Sequence, residues 1–322
     1  MQYATLRTED AVDIQFAAVR HLASAELAAG LTRPQASISP KYFYDTQGSR
    51  LFEAICALDE YYQTRSEYKI YQMHGAAIAE AAGQGMTLID LGAGNCEKAA
   101  SLLGILQPRN YVPIDISTEF LEKAVAPLRQ AFPGLAIHPV GMDFSEHLTL
   151  PAFVQALPQK LFFYPGSSLG NFGPLQAVRF LRNISAQGGD LLLGLDLVKD
   201  TQILEAAYDD ALGVTSAFNL NILRHVNRIL GTDFDLADWS HNAFFNAAQS
   251  RIEMHLCARR ACRVNWPGGE RQFSEFETIH TENSYKFTLD SAAEMLRRAG
   301  FARITSWTDP DQKFLVCHAR AA

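Results

Sequence analysis

An apolar stretch that runs directly into a glycine-rich turn is the feature that most constrains the fold of this chain. The segment Leu88-Ile89-Asp90-Leu91-Gly92-Ala93-Gly94-Asn95 predicts a buried strand, a tight turn and the start of a helix. In α/β proteins, ligands approach such a turn at the carboxyl edge of a parallel sheet. A dinucleotide-binding turn would have a third glycine, and Glu97 stands in its place. The pattern therefore favours a nucleoside ligand without phosphates.

Short β-like runs alternate with helical runs from Gly85 to Val198, which predicts a parallel sheet with crossover helices. The predicted strands are Met86–Leu91, Tyr111–Ile116, Leu135–Met142, Leu161–Tyr164 and Leu191–Val198. The predicted helices are Cys96–Leu106, Thr118–Phe132 and Pro174–Gln187. A later helix at Leu289–Arg298 and a hairpin of Arg303–Trp307 with Lys313–His318 complete this sheet.

Residues from about Asp200 to Lys286 interrupt this rhythm. Helical stretches at Thr201–Leu212 and Leu220–Leu230 precede two stretches that alternate like antiparallel strands, Arg251–Val264 and Gln272–Phe287. We therefore predict four segments in two domains. Residues 66–199 and 287–322 would form an α/β domain, and residues 1–65 and 200–286 an α+β substrate domain.

Two acidic residues lie at the ends of the second and third predicted strands, Asp115 and Asp143. The first could accept both hydroxyls of a ribose, and the second the exocyclic amine of an adenine. Taken singly, each aspartate is more often a helix N-cap, and the glycine turn an ordinary connection. The ordered trio favours S-adenosylmethionine (SAM) as cofactor, with S-adenosylhomocysteine as product.

Two further polar segments are candidates for substrate binding. Gly166 and Gly170 indicate a tight loop after the fourth strand, which would place Asn171 beside the methyl donor; a helix cap near Pro174 is an equal alternative. In the segment Thr281–Lys286, alternation puts Glu282 and Ser284 on one face of a strand. An anion beside a hydroxyl suits a small ring with two nitrogens. On local sequence alone, the exposed face of an edge strand is the favoured alternative.

Composition narrows the class of partner. The chain has 28 basic and 35 acidic residues, a formal net charge of −7, which argues against nucleic acid. Its five cysteines are scattered without metal-ligand spacing, so we expect reduced thiols and no metal. The first 19 residues lack the features of a signal peptide, and an apolar run of the ~20 residues that span a membrane is missing. We expect a cytoplasmic monomer that acts on a small molecule.

Longer strings resemble the histidine-specific SAM-dependent methyltransferase family over nearly the whole chain. They include Lys41-Tyr42-Phe43-Tyr44-Asp45, Glu60-Tyr61-Tyr62-Gln63-Thr64-Arg65, Gly166-Ser167-Ser168-Leu169-Gly170-Asn171, Asp196-Leu197-Val198-Lys199-Asp200, Tyr208-Asp209-Asp210, Gly213-Val214-Thr215 and Arg251-Ile252-Glu253-Met254. The resemblance implies a Rossmann-like SAM-binding domain and an enzyme that methylates the α-nitrogen of L-histidine. The product would extend to the trimethylated betaine, hercynine, of ergothioneine biosynthesis.

The resemblance also implies roles for single residues. The implied cofactor-binding residues are Gly92, Lys98, Asp115 and Asp143. The implied catalytic residues, near the substrate amine, are Asn171, Tyr61 and Tyr44. Tyr208 would lie near the carboxylate, Phe52 and Thr215 would line the pocket, and the imidazole end would meet Glu282, Ser284 and Met254.

Other functions stay open at this point. A SAM-dependent enzyme could act on another amino acid, such as tryptophan, or on an imidazole ring nitrogen. A non-catalytic SAM-binding protein and a nicotinamide dehydrogenase are less favoured, the latter because of Glu97.

Overall fold

A computed structural model describes residues 22–116, 118–144 and 148–321. The strands, in chain order, are β1 (Ala36–Ser37), β2 (Thr87–Leu91), β3 (Asn110–Asp115), β4 (Ala136–Ile137), β5 (Val140–Gly141), β6 (Lys160–Tyr164), β7 (Gly189–Asp196), β8 (Trp239–Asn246), β9 (Arg251–Ala258), β10 (Cys262–Trp266), β11 (Gly269–Phe273), β12 (Thr278–Tyr285), β13 (Phe301–Thr308) and β14 (Phe314–Ala321).

The α-helices are α1 (residues 22–31), α2 (Thr46–Cys56), α3 (Tyr62–Ala82), α4 (Glu97–Leu106), α5 (Thr118–Ala131), α6 (Ala152–Gln155), α7 (Pro174–Ala186), α8 (Thr201–Ala206), α9 (Val214–Leu230) and α10 (Leu289–Arg298). Short 3-10 helices cover Pro40–Phe43, Ser168–Asn171 and Leu236–Asp238. None of the helices in the described ranges is long and apolar enough to cross a lipid bilayer.

The chain forms two compact units. The sheet unit comprises the described parts of Asp59–Leu204, Asn246–Arg251 and Asn283–Ala322. The insertion unit comprises the described part of Met1–Leu58 together with Glu205–Phe245 and Ile252–Glu282. The first boundary falls after Leu58 rather than after Arg65, because α3 already begins at Tyr62 and belongs to the sheet unit.

The sheet unit is built on strands in the order β13-β14-β7-β6-β2-β3-β4, with β5 also paired to β3. Strands β2 to β7 pair in parallel, and β14 enters antiparallel beside β7 and forms a hairpin with β13. The predicted parallel sheet and final hairpin are thus confirmed. The third predicted strand is two short pieces, since Pro139 between them has no N–H to donate.

Both faces of this sheet are covered by apolar layers. Successive residues of β2 alternate between them, with Ile89 and Leu91 in the layer of α7 and α10, and Leu88 in the layer of α3, α4 and α5. These three side chains are at most 1% exposed, and each such burial contributes roughly 1.5–3 kcal/mol. The carboxyl edge of the sheet is therefore held on a rigid core.

The insertion unit has a sheet in the order β1-β12-β9-β8 and a separate hairpin, β10-β11. Strand β8 was not predicted. The predicted helix Thr201–Leu212 ends at Ala206, and α9 begins at Val214, earlier than the predicted Leu220. The reason is Asp210, whose carboxylate accepts the N–H groups of Val214 and Thr215 at 3.0 and 2.7 Å and so caps α9.

Candidate active site

The glycine turn after β2 is fastened to the end of β3. Gly92 and Gly94 have φ angles of +75° and +53°, which favour glycine. The N–H groups of Gly92 and Ala93 donate to the carbonyl of Ile114 at 2.9 and 3.0 Å. The N–H of Gly94 donates to the Asp115 carboxylate at 2.9 Å. The turn and the first acidic residue therefore form one structure.

Gly92, Asp115 and Asp143 lie at the carboxyl ends of three neighbouring parallel strands, as predicted from the sequence. Asp115 is in register with Gly141, the last residue of β5, and Asp143 lies two residues further on. Asp115 is half-buried, whereas Gly92 and Asp143 are exposed. The structure thus brings the three to one edge of the sheet, beside the point where strand order reverses at β2.

This edge fits SAM better than a dinucleotide. A Cβ built on Gly94 would meet no described residue within 4 Å apart from its chain neighbours, so a ligand can approach the backbone. Glu97 is exposed at the first residue of α4, where its charge opposes a phosphate. A nucleoside bearing a sulfonium cation has no such conflict with Glu97 or Asp115.

Lys98, the fourth predicted cofactor residue, is paired with a carboxylate that the sequence analysis missed. Its Nζ lies 2.9 Å from Glu67, which is 1% exposed. The Glu67 carboxylate also accepts the hydroxyl of Tyr71 at 3.0 Å and the N–H of Gly166 at 3.0 and 3.1 Å. Burial, followed by the Glu67 charge, raises the pKa of Tyr71 well above its ordinary value. Glu67 therefore holds both Lys98 and the start of the Asn171 loop.

The loop itself ends in the 3-10 helix Ser168–Asn171. Gly173 is the N-cap of α7 and its N–H donates to the side chain of Gln176 at 3.1 Å, so the capping role considered for Asn171 is wrong. A Cβ on Gly170 would lie 3.0 and 3.1 Å from the backbone O and N of Tyr285. The loop that carries Asn171 therefore packs directly against the chain next to Ser284.

A second buried carboxylate, Asp196 at the end of β7, organises this part of the sheet unit. It accepts the hydroxyl of Tyr62 at 2.8 and 2.9 Å and pairs with Lys199 at 2.5 Å and Lys286 at 2.8 Å. Its N–H donates to Ser167 Oγ at 2.9 Å. Burial lowers the pKa of Lys199 to about 8 although the carboxylate opposes this.

The Asp196 network fixes the chain beside three predicted substrate residues. Tyr61 precedes Tyr62 and is the N-cap of α3, Asn171 follows Ser167 in the loop, and Ser284 precedes Lys286. Tyr61 is 8% exposed, so its ring is held by packing. Lys286 could have been singled out from the sequence, because it lies two residues after Ser284, as Ser284 lies two residues after Glu282.

Glu282 and Ser284 are both buried, at 8% and 3% exposure. The exposed-edge interpretation of this segment is therefore wrong. Buried and half-buried residues alternate along β12, except that two neighbours, Thr281 and Glu282, are both buried. Ser284 Oγ accepts a hydrogen bond from Lys286 Nζ at 2.9 Å.

In the insertion unit, a buried amide links three segments that carry predicted substrate residues. Asn219 Nδ2 donates to His241 Nδ1 at 2.8 Å and to the carbonyl of His255 at 3.0 Å. Its Oδ1 accepts the hydroxyl of Thr281, which also contacts the carbonyl of Met254 at 3.0 Å. Asn219 thus fixes β9 at Met254 and β12 just before Glu282.

His241 extends this link to Tyr208. Since its Nδ1 accepts from Asn219, the proton lies on Nε2, which donates to the carbonyl of Tyr208 at 2.8 Å. Burial lowers the pKa of His241, so the neutral ring that this arrangement needs is favoured. Tyr208 is 8% exposed.

The remaining predicted residues of the insertion unit lie around Phe218. The ring of Tyr44 packs edge-on against the rings of Phe52 and Phe218, with centroid distances of 5.7 and 5.9 Å. The centroids of the Phe52 and Phe218 rings are 6.0 Å apart. Thr215 is 3% exposed, one helical turn before Phe218 in α9. Tyr44, the most accessible of these side chains, is 36% exposed.

Glu253, His255 and His280 could offer ligand atoms to a metal ion, all within 4.8 Å of one another. Glu253 Oε2 and His255 Nε2 already lie 3.0 Å apart, and Phe244 stacks on the His255 ring at 5.5 Å. The Glu253 carboxylate is thus a hydrogen-bond partner of His255 Nε2, and the absence of a metal expected from the sequence stays a prediction.

The strand order, the antiparallel last strand and the glycine turn at the switch point define the sheet unit as a Rossmann-like domain of a SAM-dependent methyltransferase. Residues 23–321 match the family described as "Histidine-specific methyltransferase, SAM-dependent". The chain belongs to this family.

Proteins similar to this chain are named for the methylation of histidine or for ergothioneine biosynthesis. A "Histidine N-alpha-methyltransferase" of Mycolicibacterium smegmatis is 42% identical over 298 residues, which cover 90% of this chain and 92% of that protein. A protein of the same name from Mycobacterium tuberculosis is 39% identical, over 90% and 92%. "Ergothioneine biosynthesis protein 1" of Neurospora crassa is 28% identical over 93% of this chain and 35% of its own length.

Proposed function

We propose that this enzyme methylates the α-nitrogen of L-histidine, up to the trimethylated betaine hercynine, as in ergothioneine biosynthesis. The observation that carries the proposal is the burial of Glu282 and Ser284 on one strand of a chain that belongs to the histidine-specific family. The names of the two mycobacterial relatives support the α-nitrogen, and that of the Neurospora relative supports the pathway.

We assign SAM binding to Gly92, Lys98, Asp115 and Asp143. We assign the substrate amine to Tyr61 and Asn171. Tyr44 would orient the amine, Tyr208 the carboxylate, and Phe52, Thr215 and Met254 would supply apolar contact. The cytoplasmic location and monomeric state expected from the sequence stay predictions.

Bound SAM supplies the methyl group. The protein's part in an in-line displacement is mainly alignment, because little covalent chemistry is required of it. Only a neutral amine has a lone pair to attack with. The side-chain carbonyl of Asn171 and the hydroxyl of Tyr61 are neutral acceptors, so they can orient the amine without holding its proton as a carboxylate would.

Selection for histidine would come from the imidazole end. The Glu282 carboxylate can accept one ring N–H while the Ser284 hydroxyl meets the second nitrogen. Tryptophan has one ring N–H and no second ring nitrogen, so its ring would lose one of these two hydrogen bonds, and a hydrogen bond lost at a buried group costs ~1–3 kcal/mol. Histidine should therefore be preferred over tryptophan.

The test is to incubate the enzyme with SAM and each of the twenty amino acids, followed by mass spectrometry. We expect histidine alone to gain methyl groups, up to three, with fragments that place them on the α-nitrogen. Methylation of the imidazole ring, preference for tryptophan, or SAM binding without turnover would each contradict the proposal in favour of a specific alternative.

A further inference from the structure

Gln63, in the first turn of α3, is a buried amide whose part in the chemistry above is unassigned. It is 2% exposed, and neither its Oε1 nor its Nε2 has a hydrogen-bond partner among the residues that the structure describes. Most buried polar groups of folded proteins are paired, because an unpaired one is costly. One unmet donor and one unmet acceptor on the same side chain therefore indicate a bound polar ligand.

Helix α3 holds Gln63 beside the sheet edge that we assign to SAM, and every group in this argument belongs to the sheet unit. Gln63 and Glu67 are both buried and four residues apart, so they lie on the same face of the helix, one turn from each other. Glu67 contacts Lys98 Nζ at 2.9 Å and the N–H of Gly166 at 3.0 Å. Lys98 is the second residue of α4, just after the glycine turn. Gln63 is thus one helical turn from this contact.

The same end of α3 favours a negative charge. The Tyr62 hydroxyl donates to Asp196, the last residue of β7, at 2.8 Å, so the first turn of α3 lies at the carboxyl edge of the sheet. The first turn, Tyr62–Arg65, contains no acidic residue, and the N-terminal end of a helix is the positive end of its dipole. The ammonium of Lys98 has three N–H donors, of which the Glu67 contact uses one. These features suit a carboxylate.

We propose that Gln63 binds the amino-acid end of SAM and that Lys98 contacts the same carboxylate. The glutamine amide donates through Nε2 and accepts through Oε1. In an α-amino acid the carboxylate accepts hydrogen bonds and the ammonium donates them, so one such end satisfies both atoms of Gln63. The inference rests on the SAM dependence of the family and is independent of the choice of histidine as substrate.

The acceptor amino acid has the same two groups, but SAM fits this place better. The acceptor amine must be neutral to attack, whereas the amine of SAM takes no part in the transfer and can stay charged. Lys98 follows the glycine turn directly, while Asn171, which we assign to the acceptor amine, lies five residues after Gly166 in the loop. The proposal therefore commits to SAM, and binding of the acceptor carboxylate is an outcome that the test can reveal.

The experiment compares two ligands by titration calorimetry, S-adenosylhomocysteine and methylthioadenosine. Both contain adenosine and a thioether, and only the first has an amino-acid end. In Gln63→Leu we expect the affinity for S-adenosylhomocysteine to fall about 10-fold and the affinity for methylthioadenosine to stay unchanged. The melting temperature of the ligand-free variant should equal or exceed that of the parent, because an unpaired amide is no longer buried. Loss of affinity without loss of stability separates a ligand contact from a structural role.

Gln72→Leu is the matched control, since Gln72 lies on the same helix and is exposed. Both affinities should be those of the parent enzyme. If Gln63→Leu does not fold, Gln63→Met makes the same comparison with an unbranched side chain that is closer to glutamine in shape.

Unchanged affinity for S-adenosylhomocysteine in the Gln63 variants would overturn the proposal and leave the amide to a buried water. An equal loss for both ligands would also overturn it, because the effect would then lie on adenosine or on the fold. A raised KM for histidine with unchanged affinity for S-adenosylhomocysteine would assign Gln63 to the acceptor instead. In each case, turnover of histidine by the parent enzyme leaves the proposed function standing.

Discussion

Glu282 is 8% exposed in the middle of a sheet, where a carboxylate must be matched by polar partners. If it binds the imidazole N–H, Glu282→Ala removes a hydrogen bond to a charged group, worth ~1.5–3 kcal/mol. We expect kcat/KM for histidine to fall at least ~10-fold, measured by initial rates. Glu275→Ala, an exposed glutamate before the same strand, is the control. Unchanged histidine kinetics in Glu282→Ala would contradict the selector role.

Asp90 gives a prediction about stability. It is 2% exposed, and burial raises the pKa of its carboxyl to about 7, although the Tyr111 hydroxyl donates to it at 2.8 Å. Between about pH 4 and pH 7 the folded state therefore holds a proton that the unfolded state has lost. The free energy of unfolding should fall by up to ~4 kcal/mol from this group as pH rises through that interval.

Asp90→Asn cannot ionise, so its stability relative to the parent protein should improve between pH 4 and pH 8. Urea unfolding of both proteins at several pH values measures the difference. His241 has the opposite effect on stability. Its pKa is lowered in the folded state, so the free energy of unfolding falls as pH drops below the ordinary histidine pKa of about 6.5. This contribution is the same in both proteins and cancels in the comparison. A difference independent of pH would show that Asp90 is ionised in the folded state.

At the scale of elements, the 3-10 helix Ser168–Asn171 depends on a glycine. A Cβ at Gly170 would lie 3.0 Å from the backbone oxygen of Tyr285, and neither backbone can yield cheaply. Gly170→Ala should therefore displace Asn171. Because misplacement by ~1 Å can cost 100-fold and the shift required here is smaller, we expect kcat to fall by up to about 10-fold while SAM affinity is kept.

A matched control for Gly170 lies in α4. A Cβ at Gly104 would meet no described residue within 4 Å outside the backbone of its own helix, so Gly104→Ala should keep full activity and add roughly 0.5–1 kcal/mol to stability. Equal kcat in Gly170→Ala and the parent enzyme, with equal melting temperatures, would show that the loop tolerates the side chain.

Elements with a strong local pattern were predictable from the sequence. The run before Gly92 predicted β2 to within one residue, and the bounds of α10 match its prediction, Leu289–Arg298. The helix predicted at Thr201–Leu212 was right as far as Ala206. Beyond it, the Asp210 side chain accepts the first N–H groups of α9 instead of continuing the helix. Burial of Glu282 was not predictable, since it depends on packing outside its own strand.

At the scale of the molecule, the site residues missed by the sequence analysis join distant segments. Tyr62 and Asp196 are 134 positions apart, Glu67 and Gly166 are 99 apart, and Asn219 and Thr281 are 62 apart. Local periodicity holds no information on such pairs, whereas it predicted the strand tips that carry Gly92, Asp115 and Asp143. The sheet edge that we assign to the cofactor was therefore predictable, and the network beside the residues that we assign to the substrate was not.

The assignment of cofactor and amino acid to different parts of the chain predicts that the two functions can be weakened separately. Asp115 accepts the Gly94 N–H, and we assign it the two ribose hydroxyls as well, so Asp115→Ala removes both contacts to SAM and the hydrogen bond that holds the glycine turn. Titration calorimetry should show SAM affinity lowered by at least ~10-fold, since each such contact is worth ~1.5–3 kcal/mol. The choice of amino acid, measured by competition between histidine and tryptophan, should not change.

Asp311→Ala, which removes an exposed ion pair with Lys313, is the control because such pairs contribute little to stability. Equal SAM affinity in Asp115→Ala would refute the ribose assignment, and an altered amino-acid preference would show that the two functions are not separable at this residue.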